Sequence, residues 1–403
     1  MSHFLAASAV KHCVPFSRPY NIYIKEINGL RGICSLLVFL SHYYILFFPK
    51  SLSLVETKFN LLALLGDYGR FGVDIFFCIS GFFVYLSVSR SGYRPLAYLS
   101  RRISRIYPLY SFLLLVYFLF VLWSRFVPDA AGSLLYGYNL FSFTASYFYQ
   151  LFFIPTAFGL DQALGVSWSL FYEFIFYFFA MLLPSFRTKQ PRLPFLRLSI
   201  FSSRQFLLVL IYTLLCFFYP RMVFFLPGFF CAHYYSLILS LGCRLKKISG
   251  FLFELSGFMS IIFFFLLAYH SQVFKLNPFT LFFQLHPSSF TLPNFYPAIY
   301  LVCAAFLLTY FFASILSTSS SVLAFSNHQI SPSLMSSMLN MPLLQFLGTI
   351  SFSLYLFHPF ALKASLMLTP SPYVGFVVSL IFSFVGSYLL FFLFEKSFLK
   401  SRV

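Results

Sequence analysis

Two residues able to carry chemistry lie within one apolar stretch near the N-terminus, Arg31 and His42. They are eleven residues apart. At about 100° and 1.5 Å per residue they share one face of a helix, roughly 16 Å apart along its axis. An imidazole can act as a general base near neutral pH, and a guanidinium binds phosphate groups. Because a buried charge in a membrane span costs several kcal/mol unless it is paired or solvated, both residues are functional candidates.

Three further ionisable residues, Asp74, Glu173 and His358, lie in three other apolar stretches. Depths below the outer end of each stretch follow from the helical rise per residue. Asp74 lies at about 6 Å, Glu173 and His42 both lie at about 9 Å, and His358 lies at about 12 Å. The four residues are therefore predicted to occupy one layer. A carboxylate beside a His orients the ring and stabilises its protonated form, so all four are catalytic candidates.

Each of these residues also has a structural interpretation. A His in a span is often a hydrogen-bonded packing residue, and Pro359 after His358 could mark a helix break. Asp74 and Glu173 could form structural ion pairs with His42 or with Arg70 at the end of a stretch. His233 has no clear acidic partner and is assigned mainly a packing role.

A second group is basic and lies towards the other end of the predicted helices. Arg101, Arg102 and Arg105 are predicted to lie in a loop, where with Arg31 they could form a guanidinium cluster suited to phosphates. The alternative is that they set the membrane topology or contact lipid headgroups.

The composition predicts the helices that must position these residues. Of the 403 residues, 60% are hydrophobic, 23% are aromatic and only 9% are charged, which excludes an ordinary soluble domain. Apolar runs recur along the chain at about the length that crosses a bilayer. We predict an all-α, polytopic integral membrane protein with about ten transmembrane helices, at residues 27–48, 69–89, 107–127, 166–184, 206–219, 222–241, 250–269, 295–316, 345–367 and 373–394.

The formal net charge of +18 reflects topology rather than nucleic-acid binding, because Lys and Arg lie in the short segments between apolar runs. Nineteen of the 27 basic residues fall on one side if both termini are cytoplasmic, and seven fall on the other. We predict one membrane domain over 1–403, with a cytoplasmic N-terminal segment 1–26 and a cytoplasmic tail 395–403. The seven cysteines show no CxxC spacing, so we expect neither a disulfide framework nor a metal site.

At these residues the sequence resembles the acyltransferase family 3 of integral membrane acyltransferases, which includes O-acetylases of lipopolysaccharide O-antigens, capsules and Nod factors. Five stretches in the family's order carry the resemblance. They are Asn28-Gly29-Leu30-Arg31 running to His42, Gly72-Val73-Asp74-Ile75-Phe76-Phe77 with Ser80-Gly81-Phe82, Arg101-Arg102-Ile103-Ser104-Arg105-Ile106-Tyr107-Pro108, Trp168-Ser169-Leu170 with Glu173 and Tyr177, and Leu347-Gly348 through Ser351 and Leu354-Tyr355-Leu356 to His358.

The resemblance implies transfer of an acyl group, most often acetyl, to a sugar hydroxyl. It also implies an acyl-CoA that approaches from the cytoplasm as a donor substrate, with no permanently bound cofactor. The family's roles carry over to Arg31 and His42 as the essential pair, and to Arg102 with Arg105 as a donor-side motif. Phe174 stands where the family commonly has a second acid, which puts a second-carboxylate role in doubt.

The resulting hypothesis is an O-acyltransferase of a bacterial cytoplasmic membrane. Arg31, Arg102 and Arg105 would hold the phosphates of acyl-CoA, and His42 would remove a proton from the acceptor hydroxyl, assisted by Asp74 or Glu173. Aromatic side chains could stack on a carbohydrate or lipid-linked saccharide acceptor, namely Trp168, Tyr172 and Tyr177. A transporter or flippase of lipid-linked saccharides, or an inactive membrane scaffold, could carry the same polar layer.

Overall fold

A computed structural model describes residues 23–48, 66, 68–90, 92–124, 140–158, 162–183, 203–270, 296–319 and 333–396, and over these ranges the chain is helical without β-strands. The helices are α1 Lys25–Phe47, α2 Gly72–Val88, α3 Pro95–Ser124, α4 Leu140–Leu151, α5 Ile154–Ala157, α6 Trp168–Met181, α7 Ser203–Phe218, α8 Phe225–His233, α9 Tyr235–His270, α10 Tyr296–Thr318, α11 Leu334–Leu339, α12 Pro342–Leu368 and α13 Pro372–Leu390. A 3₁₀ turn, Pro220–Phe224, precedes α8, and a π turn, Phe391–Glu395, follows α13.

The prediction of a polytopic α-helical membrane protein is confirmed. Six of the described helices are long and apolar enough to cross a bilayer. A seventh is reached if Pro220–His233 and Tyr235–Lys246, which are bent by 79°, count as one broken span. Three more apolar helices, at 72–88, 168–181 and 206–218, are shorter. Ten spans are therefore not confirmed, because an apolar run reveals neither a bend nor the length of the helix within it.

Two predicted boundaries are wrong in ways that affect the site. Helix α3 begins at Pro95, twelve residues before the predicted span 107–127, so Arg101, Arg102 and Arg105 lie on a helix and not in a loop. Pro is favoured in the first turn of a helix, where its missing N–H is not needed. The predicted span 222–241 is interrupted by the bend between α8 and α9. His233 at that bend forms a hydrogen bond of 2.7 Å with the Tyr85 hydroxyl.

Helices α1 and α12 run side by side in the same direction and pack closely. Asn28 near the start of α1 donates to the Gln345 carbonyl near the start of α12, and further along both helices His42 meets His358. A Cβ atom on Gly32 or Gly348 would lie within 3.0 Å of backbone atoms across this contact. Small residues that let two backbones approach are a common means of helix association in membranes. These glycines therefore fix the separation of the two helices that carry the histidines.

We expect Gly348→Ala to separate α1 from α12, because the new methyl group would collide with the Asn28 carbonyl, and backbone atoms cannot yield as a flexible side chain can. Overpacking of this kind costs about 1–3 kcal/mol. The midpoint of thermal unfolding of the purified protein should fall. Gly165→Ala is the matched control, because nothing lies within 4 Å of a Cβ atom there. Equal midpoints for the two variants would contradict the close contact.

Stacked aromatic rings join the helices behind the histidines. Phe225 of α8 stacks on Phe77 of α2, with ring centroids 4.6 Å apart, and on Phe176 of α6, with centroids 4.2 Å apart. All three side chains are buried. Offset stacking adds about 0.5–1.5 kcal/mol to the burial of each pair. These three Phe residues thus serve the packing between helices.

Candidate active site

His42 of α1 and His358 of α12 meet edge to face, with ring centroids 4.9 Å apart and an interplanar angle of 68°. The Nδ1 atom of His42 lies 2.9 Å from the Val38 carbonyl, and that of His358 lies 3.1 Å from the Leu354 carbonyl. A carbonyl oxygen only accepts, so in each bond Nδ1 donates its proton. Each neutral ring therefore keeps an unprotonated Nε2, which is the form that a general base requires.

The two histidines differ in their surroundings. His358 is only 1% exposed, and among the described residues its Nε2 has no hydrogen-bond partner. His42 is half-buried, so its ring is the more accessible of the two. Pro359 does not break the helix, since α12 continues through it to Leu368. The structure thus joins two of the four residues predicted to share a layer.

The carboxylate of Asp74 is paired elsewhere. Its Oδ1 lies 3.4 Å from a guanidinium nitrogen of Arg221 in the 3₁₀ turn, and the side chains are 0% and 4% exposed. Arg221 also lies over the Trp168 ring, with 4.4 Å from Cζ to the centroid. Among the described residues, Asp74 forms no hydrogen bond or ion pair with His42 or Arg70. The predicted pairing of Asp74 with either residue is therefore wrong.

Glu173 is held by two hydroxyl groups. Ser80 of α2 donates to Oε1 at 2.7 Å, and Tyr177, one turn further along α6, donates to Oε2 at 3.0 Å. Glu173 also interacts electrostatically with Arg31, and within the described part of the chain it contacts neither histidine. The structure thus groups Glu173 with the arginines.

The arginines converge from two helices. Arg31 of α1 and Arg105 of α3 lie close enough to repel one another electrostatically. Arg102, one turn before Arg105, donates to the Ser87 hydroxyl at 2.9 Å and to the Phe83 carbonyl at 3.4 Å. Its guanidinium also lies over Tyr98 and Tyr177, at 5.4 and 5.3 Å from the centroids.

The remaining predicted site residues are more widely distributed. Arg101 is exposed on α3. Tyr172 is buried, stacks on Phe77 and touches Trp168 at its edge. Tyr177 is beside Arg102 and so lies with the arginines rather than with Trp168. The aromatic residues predicted to meet an acceptor are thus divided between two regions.

Sequence reasoning missed three charged or aromatic partners. The sequence by itself predicts no role for Arg221 or Tyr355, and it places Glu395 in the cytoplasmic tail. The Tyr355 hydroxyl donates to Ser169 at 2.8 Å, and its ring lies 6.1 Å from that of His358. Glu395 is 8% exposed and interacts electrostatically with Arg31 and Arg105. The signal available for Glu395 was an acidic residue at the end of a long apolar run.

Another buried acid, Glu26, lies at the first turn of α1. It accepts hydrogen bonds from the Ser319 and Ser336 hydroxyls, both at 2.7 Å, and from the Asn340 amide at 3.1 Å. These contacts tie the start of α1 to the end of α10 and to α11, which makes Glu26 a structural residue. In the ranges that the structure describes, no group of His, Cys, Asp and Glu could hold a metal ion.

A family described as an acyltransferase domain, acyltransferase family 3, matches residues 24–395. The chain belongs to this family. The match covers nearly the whole chain and includes both histidines, all the arginines described above, and Glu395. No curated protein and no solved structure matches the chain. The resemblance inferred from the five sequence stretches is therefore confirmed, and the protein is an integral membrane acyltransferase.

Proposed function

We propose that this family 3 acyltransferase transfers the acyl group of an acyl-CoA, with acetyl as the first candidate, to a hydroxyl of a carbohydrate or lipid-linked saccharide. The observation that carries the proposal is the histidine pair, whose Nδ1 atoms are engaged so that Nε2 is available as a base. An Arg on the same helix as one of these histidines supplies a phosphate-binding group at a different depth.

The proposed reaction moves one proton and one acyl group. His42 Nε2 takes the proton of the acceptor hydroxyl as its oxygen attacks the thioester carbonyl. The new ester forms, the carbon–sulfur bond breaks, and the imidazolium returns the proton to the departing CoA sulfur. The buried His358 ring against His42 offers a second nitrogen for that proton, because its Nε2 is unpartnered among the described residues.

The proposed location is a bacterial cytoplasmic membrane, with the start of α1 on the cytoplasmic side. This orientation gives the CoA phosphates access to Arg31 from the compartment that contains CoA. It agrees with the excess of Lys and Arg in the segments assigned to that side. The acceptor would reach His42 from the opposite face.

The test is acyl-CoA binding and thiol release by the purified protein in detergent. We expect the wild type to bind acetyl-CoA and release CoA slowly in the absence of an acceptor. Arg31→Met should bind the donor at least about tenfold more weakly, since a charged hydrogen bond contributes roughly 1.5–3 kcal/mol. Arg244→Met removes the same charge from an exposed position on α9 and should behave as the wild type. If the folded wild type neither binds nor cleaves any acyl-CoA, acyl-CoA is not the donor, and a saccharide transporter becomes the favoured function.

A further inference from the structure

The charges around Arg31 are not satisfied by direct contacts. Arg31 and Arg105 repel one another, and among the described residues neither forms a hydrogen bond or an ion pair. Two guanidinium groups that keep their N–H donors free inside a bundle require an anion or water. This makes Arg31 and Arg105 the free anion-binding groups of the region.

Arg102 differs from this pair in its contacts. Its guanidinium already donates to Ser87 and Phe83 and lies over the rings of Tyr98 and Tyr177. These contacts tie α3 to α2 and α6 and leave fewer of its five N–H groups for a ligand. Arg102 is therefore a positioning residue, and the ligand-binding donors come from α1 and α3 at Arg31 and Arg105.

The carboxylate of Glu395 interacts electrostatically with both arginines, and the π turn that carries it packs against α3, where the rings of Phe394 and Phe112 have centroids 4.8 Å apart. Its Oε1 accepts hydrogen bonds from the Ser353 backbone N–H at 3.1 Å and from the Ser353 hydroxyl. Within the described part of the chain it forms no ion pair with Arg31 or Arg105. Glu395 therefore acts on the arginines through its charge, while Ser353 of α12 determines where that charge lies.

The π turn explains why Glu395 faces the bundle. Along α13 the buried side chains recur every three or four residues, at Gly375, Ser379, Ser383, Ser387 and Leu390. The next buried residue is Glu395, five positions after Leu390. In an α-helix five residues rotate by about 500°, which would place Glu395 about 140° away from that face. A π turn bonds residue i to i+5 and so accommodates one more residue per turn, which returns Glu395 to the buried face.

A π turn within a helix is uncommon and often marks a functional site. Here it brings a carboxylate into an apolar bundle close to two arginines. Because Glu395 forms no ion pair with either arginine within the described part of the chain, their N–H donors stay available to a second anion.

We propose that Glu395 is a built-in counter-ion of the Arg31 and Arg105 anion site, one with which the phosphates of a donor must compete. The inference rests on the proposed function in naming CoA as the anion. Without a ligand, Glu395 reduces the repulsion between the two arginines. With CoA bound, its charge repels the phosphates, weakens binding and speeds release of the product.

The experiment compares the wild type with Glu395→Gln in the full-length purified protein. A Gln side chain keeps an oxygen that can accept from Ser353 but carries no charge. Binding is measured for CoA, for inorganic pyrophosphate and for pantetheine, which lacks the phosphates. Loss of one negative charge beside the two arginines should strengthen CoA binding by roughly three- to thirtyfold. Pyrophosphate binding should strengthen as well, and pantetheine binding should not change.

Two further measurements distinguish this role from a structural one. The affinity of Glu395→Gln for CoA should fall more steeply with salt than that of the wild type. In turnover, KM for acyl-CoA and kcat should both fall, because tighter product binding slows release. Glu254→Gln removes the same charge from α9, where Glu254 accepts from the Leu334 N–H, and should leave CoA affinity unchanged.

The possible outcomes separate the two proposals. Unchanged or weaker CoA binding by Glu395→Gln, with a wild type that binds CoA, overturns the counter-ion role and leaves the proposed function intact. A wild type that binds pyrophosphate but not CoA, with tighter pyrophosphate binding by Glu395→Gln, supports the counter-ion role and overturns the donor assignment. Equal strengthening for pantetheine would also overturn the counter-ion role, since that probe carries no phosphate.

Discussion

His42→Ala is expected to lower the rate of acyl transfer by about 10²–10⁴-fold, the usual contribution of a general base, with little change in acyl-CoA binding. The ring's Nδ1 is engaged by the Val38 carbonyl, so the substitution removes the accessible Nε2 base without uncovering a buried charge. Ala is also the best helix former, so α1 should persist. The measurement is transfer of labelled acetyl to an acceptor at saturating donor, together with the donor Kd.

A second histidine provides the control for this substitution. His233 at the end of α8 is bonded to Tyr85 and lies outside the proposed site, so His233→Asn should retain most of the activity. The acyl-transfer activity of His358→Ala should lie between those of His42→Ala and His233→Asn, because we expect His358 to act on the substrate only through His42. Full activity of His42→Ala at a normal protein level would exclude a base at this position and would return the scaffold hypothesis to consideration.

Asp74→Asn and Arg221→Met are each expected to destabilise the protein by about 3–5 kcal/mol, because each removes one charge of a buried ion pair. The double variant should recover most of that loss. The reason lies in the geometry, since the nitrogen and oxygen are 3.4 Å apart and neither Asp74 oxygen accepts a hydrogen bond among the described residues. In a pair of this kind, the electrostatic attraction is weaker than the free-energy cost of removing both charges from water.

The measurement is a double-mutant cycle on the midpoint of unfolding in detergent. Arg70→Met is the comparison, because Arg70 and His42 are the partners of Asp74 that the sequence suggests, whereas the structure pairs Asp74 with Arg221. Arg70→Met should lower the midpoint of unfolding less than Arg221→Met does. If the losses from the two single variants simply add in the double variant, Asp74 and Arg221 do not act as a pair.

The sequence predicted well whatever depends on neighbours along the chain. Arg31 and His42 were assigned to one helix from their spacing, and they lie on the unbroken α1. The α-helical membrane class followed from apolar runs, because a bilayer requires backbone groups to be satisfied within each segment. The family followed from five short motifs and is confirmed over residues 24–395.

The errors arose where a local pattern has more than one structural outcome. An apolar run ends where charges begin, whereas a helix ends where its backbone bonds end. The sequence therefore predicts a loop before residue 107, although α3 starts at Pro95. The depth count likewise placed Asp74, Glu173 and the histidines at similar levels. It carried no information on the rotation of each helix about its axis, which determines whether residues at one depth touch.

By itself, the sequence thus determined the membrane class, the family and the shared helix of Arg31 and His42, since each is encoded by composition or by spacing within one segment. Only the tertiary structure decided that His42 meets His358, that Asp74 pairs with Arg221, and that Glu395 turns towards two arginines. Those contacts join segments far apart in the chain. They depend on close glycine packing, on the 3₁₀ turn that carries Arg221 and on one π turn, none of which an apolar pattern encodes.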